Sequence, residues 1–267
     1  MNDLGAIFLR TLSDSRRSMF WWSLGMFALI FFVMALYPTF KENAGQLNEL
    51  YQSSKEIVAL VGTQDMSTGV GFLTQEVFSI MAPLFLIIYG IQLGASAIGR
   101  EEGRGTLPLL LANPISRSRV VYEKYAAMKA ALLVVAAVVF VTIAPLAPVF
   151  EMKDVELAKL ATASLMTFLI GLAFGSIAFL VGAATGNRGL AVGATSALGL
   201  GMYLLYVMEQ LVDSLEPYRW LSLFHYYVPD NVLTDFPTFG NVLVLIGVSV
   251  AGFGLSLLVF PRRDVRA

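Results

Sequence analysis

Six long apolar runs, at residues 19–37, 77–98, 130–149, 160–184, 190–208 and 240–260, contain no Asp, Glu, Lys, Arg or His. Each is about the length that crosses a hydrocarbon core about 30 Å thick as a helix. No water is present at that depth, so a crossing segment has to pair its own backbone donors and acceptors. With 57% hydrophobic residues, 14% charged residues and a mean hydropathy of +0.72, the chain is also too apolar for an ordinary soluble domain. Residues 1–267 therefore read as a single transmembrane domain, an all-α membrane protein with six transmembrane helices.

Charge sets the orientation. Thirteen of the eighteen Lys and Arg residues lie in the N-terminal arm (Arg10, Arg16, Arg17), between Arg100 and Lys129, at Arg188 and in the tail (Arg262, Arg263, Arg266). Basic residues gather on the cytoplasmic side of short loops, so both termini and the segment from 99 to 124 are expected in the cytoplasm. The net charge of -1 is uninformative by comparison. Cysteine is absent, which excludes disulfides and thiolate metal sites.

Eighteen residues that are mostly polar or amphipathic precede the first run, which is too long for a cleavable signal peptide. Leu4, Ile7, Phe8 and Leu12 recur at helical spacing among the three arginines, so the arm reads as an amphipathic helix on the inner leaflet, with a disordered basic arm as the alternative. Trp21 and Trp22 are expected at the headgroup level, and the arginines of arm and tail as plain membrane anchors. Leu47, Leu50, Tyr51, Ser54, Ile57 and Val61 form a helical stripe that predicts a short outer surface helix. Trp220, Leu221, Leu223, Phe224, Tyr226 and Tyr227 make 209–239 an interfacial or partly re-entrant segment.

Several chemistries are excluded. The dipeptide Gly-Lys does not occur, so the chain has no phosphate-cradling loop of the Gly-x-x-x-x-Gly-Lys-Ser/Thr kind. The nearest approach to Gly-x-Ser-x-Gly, residues 94–99 around Ser96, has the wrong spacing for a hydrolase. His225 is the only histidine and falls in an outer loop, where it reads as an interfacial polar residue. The runs lack the central ionisable groups that ion-coupled transporters use. Energy for any work is therefore expected from a partner.

After the second run the chain reads Ile98-Gly-Arg-Glu-Glu-Gly-Arg-Gly-Thr-Leu-Pro-Leu-Leu-Leu-Ala-Asn-Pro-Ile-Ser-Arg-Ser-Arg-Val-Val-Tyr-Glu-Lys124. Thr106 is placed to cap a short apolar helix, Pro108 is allowed in its first turn, and Asn113-Pro114 ends it. Ser116 is placed to cap the next helix. This stretch resembles the permease subunits of ABC-2 type transporters, whose pattern is Glu, three residues, Gly-Thr-Leu, a Leu-Leu-rich turn, then Pro-x-Ser-Arg and a later Lys. Glu101, Gly105, Thr106, Leu107, Leu110, Leu111, Pro114, Ser116, Arg117 and Lys124 match it; Gly103 and Pro108 depart from it, at positions where acidic residues are common. The basic arm, the outer helix, the six runs and the loop before the last one extend the resemblance over essentially the whole chain.

The resemblance implies a type V exporter-like architecture in a prokaryotic plasma membrane, with a coupling helix within 101–112 docking on a separate nucleotide-binding ATPase subunit. ATP and Mg would reside on that partner, with no cofactor, catalytic residue or metal on this chain and no nucleic-acid partner. It further implies a second permease copy, in a complex of two permeases and two ATPases, and a path between the copies lined by the second and fifth spans. Phe78, Met81, Phe85, Tyr89 and Gln92 on the former, with Met202, Tyr203 and Tyr206 on the latter, are the candidate cargo-contacting residues, though side chains of these types are equally expected in helices packed in lipid. Glu101 is either a surface carboxylate paired with Arg100 or Arg104, or the group that fixes the angle between the second span and the coupling helix. The Gly171, Gly182 and Gly189 small-residue repeats favour packing within the chain over a dimer contact. A membrane anchor that lets an ATPase do mechanical or signalling work without moving cargo is the alternative to an exporter.

Overall fold

The computed structural model describes residues 5–46, 65–103, 105–107, 115–227 and 232–263. Six helices are long and apolar enough to cross a membrane, and there is no strand among the described residues. They are α1 (Ala6–Glu42), α2 (Gly69–Gly103), α3 (Arg117–Leu146), α4 (Leu157–Thr185), α5 (Arg188–Glu209) and, after a short helix α6 (Leu223–Tyr227), α7 (Phe239–Val259). All six predicted spans are present. The predicted outer helix of 47–61 lies outside the described residues.

Two boundaries differ from hydropathy for one reason. The N-terminal arm is not a separate helix: α1 runs unbroken for 37 residues, about 55 Å at 1.5 Å per residue, so arm and span are one rod. Likewise α3 begins at Arg117, well before the apolar run. In both cases contacts from other elements, described below, hold the polar end: Glu123 takes the first N–H groups of α1, while the residues after α7 and Glu101 take Arg117 and Lys124 of α3.

α4 is the central helix, with 78% of its apolar window buried, and α2, α3 and α7 all pack on it. Close approach of α2 and α4 depends on glycine. A Cβ on Gly90 would stand 2.3 Å from the Gly171 carbonyl oxygen, and one on Gly94 would stand 2.1 Å from that of Gly175. Only hydrogen fits there, and the short interaxial distance supplies the dispersion contacts that hold helices together in lipid. Gly171 and Gly175 thus serve packing within the chain, whereas a Cβ on Gly193 would meet nothing.

The segment after α5 divides in two. A 3-10 helix at Asp213–Leu221 has no buried residue, and Trp220 is exposed. α6 turns inward: Phe224 and Tyr227 are buried, and the Ser222 hydroxyl ahead of it donates to the Met202 carbonyl. Tyr227 Oη donates to the Phe78 carbonyl at 2.8 Å and lies 3.2 Å from Thr167 Oγ1. Phe78 sits in a π-helical stretch of α2, Thr74–Met81. The Ala82 N–H goes to the Val77 carbonyl and Pro83 has no N–H, so the Phe78 carbonyl is left without a helical donor, and Tyr227 takes it. Tyr125, Ser176 and the Ser249 carbonyl form a second buried polar link, joining α3, α4 and α7.

Candidate functional site

The start of α1, the end of α2, the start of α3 and the residues after α7 meet at one end of the bundle, where four local devices organise the charges. The first is the end of α2. Gly105 has φ +66, its N–H donates to the Glu102 carbonyl, and the Thr106 N–H donates to that of Glu101. This 6→1 and 5→2 pairing around a left-handed glycine is a Schellman stop, which makes Gly105 a conformational requirement. The Thr106 hydroxyl also donates back to the Glu101 carbonyl at 3.2 Å. In the described residues Thr106 therefore closes α2; the helix it was expected to cap, with Leu110, Leu111 and Pro114, lies outside them. Leu107 is fully buried.

The second device is the start of α3. Ser116 Oγ accepts from the Arg119 N–H at 3.3 Å, the cap its position predicts. Lys124, about two turns into the helix, has its side chain 2% exposed and its Nζ 2.5 Å from Glu101 Oε1. Glu101 is paired with Lys124 across the loop; among the described residues it forms no ion pair with Arg100, and Arg104 lies outside them. A buried ammonium is costly to desolvate, so this contact locks the last turn of α2 to the first turns of α3.

The third device holds the start of α1. Gly5 offers no capping side chain and the first turn contains no acid. Glu123 of α3 supplies the missing acceptor: its Oε2 takes the Ile7 and Phe8 N–H groups at 3.0 Å each, while Oε1 accepts from Arg119 Nε at 2.7 Å. A carboxylate at a helix N-terminus also opposes the positive end of the dipole.

The fourth device is the tail. Arg263 reaches Glu102 with both terminal nitrogens, Nη1 to Oε1 at 2.9 Å and Nη2 to Oε2. Arg117 Nη1 donates to the carbonyls of Pro261, at 3.3 Å, and of Arg263, at 2.6 Å. Arg263 is therefore not the plain membrane anchor expected of the tail; it is the partner of a carboxylate whose side chain is 4% exposed. Gly186 at the end of α4 lies against the same carboxylate: with φ +68, a Cβ there would come within 2.3 Å of Glu102 Oε2. Sequence reasoning missed Glu102, Glu123 and Arg263. The signal available was two adjacent carboxylates after an apolar run, which a membrane helix does not retain without partners.

Beside this junction α1 and α2 enclose a cavity of about 1070 Å³, completed by α3 and by Arg188 of α5. Above it Trp22 turns inward, at 4.5 Å from the Phe85 ring and 5.1 Å from Tyr89, while Trp21 is exposed. Of the candidate cargo residues, Phe78 and Tyr89 are buried inside the protomer, and Met81, Phe85, Gln92, Met202, Tyr203 and Tyr206 are partly buried. The ring contacts separate them: Phe85 and Tyr89 of α2 face Trp22, and Tyr203 and Tyr206 face Phe224 of α6. No group of three or more metal-ligating side chains occurs among the described residues. His225 is half-buried, and burial together with the nearby Arg219 charge holds its pKa below the usual imidazole range.

A family model described as "ABC-2 family transporter protein" matches residues 6–265. Comparison with curated proteins finds no match.

Proposed function

The chain belongs to the ABC-2 family of transporter proteins, and from that premise we propose that it is the permease of an ATP-driven exporter whose nucleotide-binding subunits are separate chains. Membership makes it a multi-pass membrane component of an ABC transporter. Export, a homodimer of permeases, cytoplasmic termini and a prokaryotic plasma membrane are the finer reading. The observation that carries it is the junction. The segment between α2 and α3 is bounded by Glu101–Lys124 on one side and Glu102–Arg263 on the other, and Glu123 ties α1 into the same cluster. A displacement delivered to residues 104–116 reaches α1, α2, α3 and α7 together, because buried charge pairs resist being separated more than they resist moving as a unit. A docked ATPase closing on ATP would supply that displacement, and ATP and Mg belong on that partner.

The test is co-purification with a nucleotide-binding subunit, followed by hydrolysis and flux in proteoliposomes. Cargo-stimulated hydrolysis with flux is the expected result. Coupled hydrolysis without flux of any cargo would favour the anchoring reading, in which the same junction transmits mechanical work. Within the complex, Glu101→Gln weakens the α2–α3 lock and is expected to separate hydrolysis from transport. Unchanged coupling in a folded Glu101→Gln complex would refute that role for Glu101.

A further inference from the structure

The cavity between α1 and α2 carries more charge than its fold requires. Arg10, Arg100, Arg188 and Lys124 line it against two carboxylates, Asp14 and Glu101. Lys124 is neutralised by Glu101, and Arg188 Nε donates to Ser96 Oγ at 2.9 Å. Arg10 and Arg100 are exposed and form no ion pair within 4 Å among the described residues. Guanidinium groups gathered around a space this size match a phosphate, which accepts their forked donors two at a time.

The deeper lining has a different character. Ser15, Ser18 and Gln92 stand among Leu93, Ala97 and Met128. Gln92 Oε1 is buried and without a hydrogen-bond partner, and an orphaned buried acceptor is costly unless a donor reaches it. A matching ligand therefore carries a phosphate near the mouth and a hydroxyl donor further in. Farther along, the two walling helices expose Trp21 and Leu24 on α1 and Leu84 and Ile88 on α2. Those side chains suit acyl chains, and Trp21 belongs at the headgroup level of a bilayer.

We propose that this cavity is a headgroup site for an anionic glycerophospholipid bearing a free hydroxyl, of the phosphatidylglycerol type. The proposal rests on the membrane placement of this end given above, and it concerns binding alone, so it stands or falls separately from the direction of transport. A soluble phosphate ester would share the arginines but not the apolar walls.

The experiment uses the purified full-length chain in neutral detergent and follows its melting temperature against three probes: short-chain phosphatidylglycerol, the matching phosphatidylcholine and inorganic phosphate. A ligand of the folded state raises the melting point in proportion to ligand concentration over Kd. Phosphatidylglycerol is expected to give a saturable rise, phosphatidylcholine a weaker one because it lacks both net charge and a hydroxyl, and phosphate none. Arg10→Gln combined with Arg100→Gln is expected to leave the unliganded melting point in place, since both side chains are exposed, and to weaken phosphatidylglycerol by about tenfold or more. An equal response to phosphatidylcholine, an equal response to inorganic phosphate, a double variant that binds as before, or no response to any probe would each overturn the proposal. The phosphate outcome would reassign the site to a soluble phosphate ester. Co-purification with an ATPase is unaffected by any of these results.

Discussion

Replacing Arg263 with Met removes the guanidinium from a carboxylate that is 4% exposed, 161 positions earlier in the chain. An exposed ion pair contributes about 0 to 1 kcal/mol, but this pair is outside that class: the Arg263 side chain is itself 15% exposed and engages Glu102 with both nitrogens. Breaking a buried pair by removing one partner costs about 3–5 kcal/mol, whereas replacing both partners with apolar groups of similar volume is about neutral. The expected pattern is therefore non-additive. Arg263→Met and Glu102→Leu should each destabilise the purified chain by about 3 kcal/mol, and the double variant by less than either single. The measurement is unfolding in mixed micelles with rising denaturing detergent, arranged as a double-mutant cycle, with limited proteolysis after Phe260 as a local probe of tail release. Additive losses, or a loss below about 1 kcal/mol for Arg263→Met, would place the pair among solvent-screened surface contacts. The junction would then not act as a unit, and the mechanical argument for the permease reading would lose its footing.

Other consequences follow from the same geometry. Gly90→Val and Gly94→Val should separate α2 from α4 and abolish the folded protein on size-exclusion chromatography, because the added Cβ meets backbone at 2.3 and 2.1 Å; Gly103→Ala, whose Cβ meets nothing within 4 Å, is the control that should fold normally. Tyr227→Phe leaves the ring in place but deprives the Phe78 carbonyl of its donor, with an expected loss of about 1–3 kcal/mol in the same unfolding assay. His225 has a folded pKa below its unfolded value. Its contribution is therefore complete above about pH 6.5 and declines as the pH falls from there towards the folded value. A stability–pH profile should lose that decline in His225→Gln, and an unaltered profile would refute the assignment.

The positions of the six spans were legible in the sequence. A helix in lipid pairs its own backbone groups, so a long uncharged run is nearly sufficient to specify one. Ser116 was legible as a cap for the same reason: its partner, the Arg119 N–H, is three residues away. The helix ends were less legible. Hydropathy stops at the first charge, yet α1 continues back through Arg10 to Ala6 and α3 begins at Arg117, because Glu123, Glu101 and the tail accept those ends. Lys124 illustrates the difference. As a residue type at a motif position it was visible, but that it is buried against Glu101 depends on where α2 and α3 cross.

By itself, then, the sequence determined which segments enter the membrane and the family to which the chain belongs, since both are written in runs and spacings a few residues long. Only the tertiary structure decided that Glu102 belongs to Arg263, that Glu123 caps α1, and that Gly90 exists for the sake of Gly171. Those choices depend on burial and on separations of a few ångströms between segments distant in sequence. The energy of a charge pair or of a glycine contact is set by that geometry, which no local pattern records.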